Sequence, residues 1–223
     1  MARTADHDAR RRQIAAAVHR LVTDDGLDAA TVARVAKEAG FSVGLVQHYF
    51  PSKDALLLHT CRQVMADVNA RVGERIAAGV TGRQPIAAVA LVSLDELLPL
   101  DARRRGEYRV TRAFRGRALD NPDLAEVART TAAELRAQVA QAVTNGKECG
   151  EVEPDVDAEL AATRICALTD GLADQLYQDP DRRVGRRGLD TAAGAILRAA
   201  LDEVFTGECR QYQGRRSSGT VSP

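Results

Sequence analysis

Apolar positions along this chain recur every three to four residues, and no stretch alternates apolar and polar in the way a half-buried strand requires. The first helical face is Ile14, Ala17, Val18 and Leu21, within a segment running from about Arg10 to Asp24. Gly26 reads as its stop, since a missing Cβ tolerates the left-handed conformation beyond a helix end. Thr31 then caps a short helix whose inner face is Val32, Val35, Ala36 and Ala39. Gly40-Phe41 predicts a tight turn, and Ser42 caps a second short helix, Val43 to Phe50. Pro51-Ser52 ends that helix and opens a longer one at Lys53, with Asp54 suitably placed for the helix dipole.

Beyond residue 53 the pattern predicts helices only. One runs from Lys53 to roughly Ala78, stopped by Gly79 and Gly82, and another starts near Pro85 and carries Ile86, Val89, Leu94 and Leu97. A shorter one includes Tyr108, Val110 and Phe114. Asn121-Pro122-Asp123 combines a capping Asn, Pro at the first helical position and an acid in the first turn, so it starts a helix that continues to about Asn145-Gly146. Pro154 and Asp155 open the next, with Val156, Leu160, Ile165, Leu168, Leu172 and Leu176 on one face, and Pro180 ends it. The last spans about Leu189 to Phe205. The expected fold class is all-α. Residues 1–9 are expected to form a flexible arm and 208–223 a disordered tail.

Composition narrows the function. The chain has 223 residues, 45% of them hydrophobic, enough for one large domain or a small domain beside a larger one. Basic and acidic residues balance at 31 each, so bulk charge gives no argument for nucleic acid and any basic face must be local. Only Lys37, Lys53 and Lys147 are lysines, leaving 28 arginines, a bias that suits phosphate binding but follows equally from base composition. Cys61, Cys149, Cys166 and Cys209 lie far apart with no C-x-x-C pair, and read as small apolar fillers or incidental thiols in a reducing cytoplasm, not as a disulfide or zinc framework. No apolar run reaches the ~20 residues of a membrane span, and MARTADHDARRRQ predicts no secretory leader. His7, His19, His48 and His59 show no metal spacing, and neither H-E-x-x-H, E-x-x-H nor a Gly-rich phosphate loop occurs. No metal and no cofactor are expected. An all-α enzyme and a helical adaptor stay open as readings from other classes.

The informative stretch is TVARVAKEAGFSVGLVQHYFPSKDAL, Thr31 to Leu56. Two short helices joined by a Gly-containing turn form the helix-turn-helix unit, whose second helix enters the DNA major groove. Ala36 and Ala39 permit a close helix crossing, Phe41 plugs the junction, and Val46 with Phe50 anchors the second helix from behind. Gln47 can pair with an adenine edge, His48 can address a base edge or phosphate, and Val43 or Leu45 can meet a thymine methyl. Gly44 lets backbone approach closely, and Lys53 at a helix N-terminus joins a cation to free N–H donors. Arg10, Arg11 and Arg12 form a basic cluster at a helix start, which is either solvated or laid along DNA.

The capping Thr31, the Ala39-Gly40 turn, Ser42-x-Gly44, the Tyr49-Phe50 ending and Ser52-Lys53-Asp54-x-Leu56 together resemble the DNA-binding domain of the tetracycline-repressor (TetR) family over about Arg10 to Leu58. The wording GLVQHYF-PSKDALL is most similar to its betaine-regulator (BetI-like) branch. The resemblance implies a three-helix DNA-binding domain at 10–56 and a larger helical ligand-binding and dimerisation domain at 57–207. It places Val43, Gly44, Leu45, Gln47 and His48 toward the groove and Tyr49 and Lys53 on phosphates, with Thr31 and Ser42 completing the DNA-binding set. Gln47 departs from a Tyr common in the family and removes a phenolic contact.

The implied protein is a cytoplasmic repressor that binds a palindromic double-stranded operator as a homodimer and is released by a small-molecule effector of unknown identity. Effector residues are expected among Met65, Leu94, Tyr108, Phe114, Val139 and Cys166. Small residues in the last two helices, such as Ala161, Gly171, Ala193 and Ala199, suit a four-helix dimer interface involving Leu172, Leu176, Ile196 and Ala200. Ordinary packing within one chain is the other reading of that stripe.

Overall fold

The computed structural model describes residues 2–210. Helix α1 spans Ala2–Asp25, a 3-10 turn Leu27–Ala29, α2 Val32–Ala39, α3 Val43–Tyr49 and α4 Lys53–Thr81. There follow α5 (Ile86–Asp95), α6 (Ala102–Ala118), α7 (Pro122–Cys149), α8 (Ala158–Gln178) and α9 (Leu189–Asp202), with a small hairpin of β1 (Arg183–Val184) and β2 (Arg187–Gly188) before α9. The all-α expectation is met.

The chain divides into two compact units. The first combines the residues up to Ala70 with Pro99–Thr130, and the second Arg71–Leu98 with the chain from Thr131 onward. In the first, α1 packs against both α2 and α6. Ile14, Val18 and Val22 of α1, Val35 of α2, Val46 of α3, Leu56 and Leu57 of α4 and Val110 of α6 are almost wholly buried, each contributing about 1.5–3 kcal/mol by leaving water. The α1–α6 crossing is close because Gly106 has no side chain: a Cβ there would stand 2.8 Å from Thr23 Oγ1. Arg109 secures it by donating to the Thr23 carbonyl.

In the second unit α9 packs on α8 and α5. Leu189, Ala193, Leu197 and Leu201, spaced by four, form its buried stripe. Helix α5 has Pro85 at its N-cap and no local side-chain cap. Its first N–H groups are taken by Glu151 instead: Ile86 N–H donates to Oε1 at 2.9 Å and Ala87 N–H to Oε2 at 3.2 Å. This explains how a carboxylate that is 2% exposed is tolerated.

Several expectations need correction. Helix α1 begins at Ala2 and takes in most of the residues assigned to a flexible arm. Helices α4 and α7 run past Gly79 and Gly146, which had read as stops. Both are contact glycines: a Cβ would stand 2.3 Å from Val89 at the first and 2.6 Å from Val152 at the second. The cap of α8 is Asp157, which accepts from Leu160 N–H at 3.0 Å, and not the earlier Pro154-Asp155. The hairpin at 183–188 had no sequence signal beyond Gly185, which takes φ 61°. The division into units also departs from a boundary at 56/57, because α6 joins the helix-turn-helix. Of the expected tail, 208–210 are described and Arg210 lies along Gly150, while 211–223 fall outside the described residues.

Candidate DNA-binding surface

Thr31 Oγ1 accepts from Arg34 N–H at 3.3 Å and fixes the start of α2. Val35, Ala36 and Ala39 face inward. The chain then turns at Gly40, whose φ of 72° and ψ of 28° place it in the left-handed region that a Cβ disfavours. Phe41 N–H returns to the Ala36 carbonyl at 2.9 Å, closing the helix end. Ser42 Oγ accepts from Leu45 N–H at 3.2 Å and starts α3 immediately. Caps on both sides of one glycine make a sharp, stiff turn between two helices.

Helix α3 is held from behind by Val46, fully buried, and by Phe50. Arg11 lies over the Phe50 ring with 4.9 Å to its centroid, and His59 packs on the same ring at 5.1 Å. That fixes one of the three clustered arginines as a structural partner. On the opposite side Val43, Gly44, Gln47 and His48 are exposed, while Leu45 is half-buried. Four of the five positions expected to face the groove are therefore open to solvent. Tyr49 is half-buried, with His7 at 4.6 Å and His48 edge-on at 5.6 Å between ring centroids.

Ser52 Oγ caps α4 by accepting from Ala55 N–H at 3.0 Å. Lys53 is exposed at this helix start, with Asp28 3.9 Å from its Nζ. Sequence reasoning missed what Asp54 does. It accepts from Arg117 Nε at 2.9 Å and from Asn121 Nδ2 at 2.9 Å, tying the start of α4 to α6 and α7. The Arg117 hydrogen bond, outweighing burial, holds the Asp54 carboxyl below its ordinary range. No local pattern could reveal a pair separated by this much chain.

The effector candidates are divided between the two compact units. Met65, Tyr108 and Phe114 belong to the first unit, and Leu94, Val139 and Cys166 to the second. A groove of about 610 Å³ in the second unit is lined instead by Arg75, Asp95 and Glu96 and by Gly194, Ala195 and Arg198. Of the dimer candidates, Leu172 and Leu176 are buried within the chain itself, 4% and 2% exposed, whereas Ile196 and Ala200 are half-buried. The outward face of α8 is another set, Leu160, Thr163, Ala167 and Gly171, all exposed.

Residues 14–60 match the family described as bacterial regulatory proteins, tetR family, and residues 87–207 match the BetI-type transcriptional repressor C-terminal region. The chain is 28% identical over 182 residues to the HTH-type transcriptional regulator PksA of Bacillus subtilis, covering 82% of this chain and 85% of that protein. It is 32% identical over 164 residues to BetI 1 of Chromohalobacter salexigens, covering 73% and 76% respectively. A regulator from Saccharomonospora viridis, solved in complex with choline, superposes with a TM-score of 0.67 at 26% identity, over 88% of this chain and 95% of that one.

Proposed function

Because this chain belongs to the TetR family of bacterial regulatory proteins, and is a transcriptional regulator of BetI type and not an enzyme, we propose that it represses transcription as a homodimer on a palindromic operator and leaves the DNA when a small effector binds. The observation that carries the proposal is the two-sided character of α3. Val46 and Phe50 lock its back, while Val43, Gly44, Gln47 and His48 are presented to solvent without a core role. That two-sidedness supports a helix whose side chains read base edges.

In this reading Gln47 and His48 read bases, Val43 and Leu45 meet thymine methyls, and Gly44 lets the backbone close on the groove. Lys53 and Tyr49 bind phosphate, and the caps Thr31 and Ser42 hold the pair of helices at the angle that docks them. The exposed Leu160–Gly171 face of α8, with Ile196 and Ala200 of α9, forms the dimer contact. The effector stays unnamed. Choline belongs to the Saccharomonospora protein, and a quaternary ammonium is usually held by several aromatics together. Here the described aromatics beyond residue 57 are few, Tyr108, Phe114, Tyr177 and Phe205, which argues against such a cage. The protein would act in the cytoplasm, where its operator is; among the described residues no helix is long and apolar enough to cross a membrane.

Selection of bound duplexes from a random pool tests the reading. The expected product is an inverted repeat with half-sites about 34–36 Å apart or a multiple of that spacing. Failure to enrich any sequence would return the chain to the helical-adaptor reading.

A further inference from the structure

The fold brings together two thiols and a carboxylate that lie far apart in sequence. Cys149 closes α7, Glu151 follows the turn at Gly150 (φ 91°), and Cys209 arrives from the segment after α9. One donor atom from each, the two Sγ atoms and a Glu151 oxygen, all lie within 4.8 Å of one another. Cys149 and Glu151 are buried and Cys209 is half-buried, so the cluster has one open side. The packing that delivers Cys209 is tight. Gly207 N–H donates to the Glu151 carbonyl at 3.0 Å, and a Cβ on Gly207 would meet the Gly150 carbonyl at 2.2 Å.

We propose that Cys149, Cys209 and Glu151 form a binding site for one thiophilic divalent cation, with Zn²⁺ as the probe. Two ligands of a tetrahedral zinc ion, at about 2.3 Å for sulfur and about 2.0–2.2 Å for a carboxylate oxygen, stand roughly 3.5 Å apart. Cys149 Sγ and Glu151 Oε1 are 3.5 Å apart. The Ile86 and Ala87 N–H groups already hold the carboxylate in position, and each oxygen keeps a second lone pair for a metal. Among the described residues no fourth Cys, His, Asp or Glu joins the cluster, which leaves the fourth position to water or a small ligand. Uptake converts two thiols to thiolates and releases two protons to solvent. Two thiolates, one carboxylate and the cation leave one net negative charge; the Arg210 side chain lies along Gly150, between Cys149 and Glu151 in sequence. Occupancy fastens residues 207–210 to the end of α7 and, through Glu151, to the start of α5.

The test uses the full reduced chain, stripped of metal, with Zn²⁺ titrated against a chromophoric chelator. One equivalent per chain is expected, with about two protons released. Cys149→Ser and Cys209→Ser should each weaken binding at least tenfold, and Cd²⁺ should give a thiolate charge-transfer absorption that both variants lose. Cys61→Ser should keep binding unchanged, and circular dichroism should show every variant folded. Absence of stoichiometric uptake, or uptake that survives both substitutions, overturns the proposal. So does a metal-free protein whose Cys149 and Cys209 have already joined as a disulfide under the same reducing conditions.

Discussion

Gln47 and His48 are exposed on α3, whereas Lys53 stands at the first residue of α4. In the proposed reading the two groups meet different parts of a duplex and so fail differently when removed. Gln47→Ala and His48→Ala should flatten the base preference at one or two operator positions, each good pair being worth about 1–3 kcal/mol of discrimination. Lys53→Ala should leave that preference intact, weaken binding to every sequence and reduce the slope of log affinity against log salt by about one. Asp28, 3.9 Å from the Lys53 ammonium, competes for the same cation, so Asp28→Asn should strengthen binding at low salt. A Lys53 variant with altered preference and an unchanged slope would overturn this division of roles. His59 supplies a second test. Its Nε2 is buried without a partner, and burial first, then Arg11 and Arg62, lowers its pKa below 6.5. His19 shifts the same way, mainly through burial. The unfolded chain therefore takes up these protons at higher pH than the folded one. The stabilising contribution is complete above about pH 6.5 and is lost as pH falls toward the folded values. The urea midpoint should drop between about pH 7.5 and 5.5, and His59→Phe should remove part of the drop.

At the scale of elements, most helices were legible because their caps are local: Thr31, Ser42, Ser52 and Asn121 all sit within three residues of the groups they bind. What stayed hidden depends on partners distant in sequence. Glu151 caps α5 from beyond α7, Arg117 reaches back to Asp54, and Cys209 returns to Cys149. Glycine was the ambiguous symbol. Gly40 turns the chain, but Gly146 sits inside α7 as a contact point for Val152 and Phe205, and sequence alone does not separate the two uses. The outward face of α3 was legible, since one helical period fixes which residues oppose Val46. Effector residues carry no such signal, because a pocket is assembled from several elements and has no period. The ambiguity of glycine gives a paired prediction. In Gly146→Ala the new methyl meets Val152 at 2.6 Å and the Phe205 ring at 3.0 Å, and overpacking of this kind costs about 1–3 kcal/mol. In Gly116→Ala, within α6 and with nothing near the new Cβ, the better helix former should add about 0.5–1 kcal/mol. Thermal unfolding of the two variants should move in opposite directions; shifts of one sign would mean that helix propensity outweighs contact at Gly146.

For the whole molecule, neighbouring positions on α8 separate assembly from folding. Leu172 is buried within the chain, so Leu172→Arg leaves an unpaired charge in the core, costing roughly 3–5 kcal/mol by analogy with broken buried pairs, and should yield little folded protein. Gly171 is exposed, with nothing near a Cβ built there. Gly171→Arg should therefore leave the protomer's unfolding midpoint nearly unchanged while sedimentation shifts to the monomer. A stable Gly171→Arg dimer would move the interface off this face. The proposed coupling of effector to operator belongs to the same scale. Helix α4 carries 29 residues, about 43 Å at 1.5 Å per residue, and supplies residues to both compact units. Helix α7 does the same, so in the proposed mechanism these two helices are the continuous elements through which occupancy of one site biases the other. A tenfold loss of operator affinity requires the effector to favour the released form by about 1.4 kcal/mol. Linkage then demands that operator DNA weaken effector binding by the same factor. The measurement is a pair of titrations with one effector: operator affinity with and without it, and its own affinity with and without operator. Equal factors place both sites on one equilibrium. Factors of one in both directions separate them, so an effector that binds tightly yet leaves operator affinity unchanged retires the release mechanism.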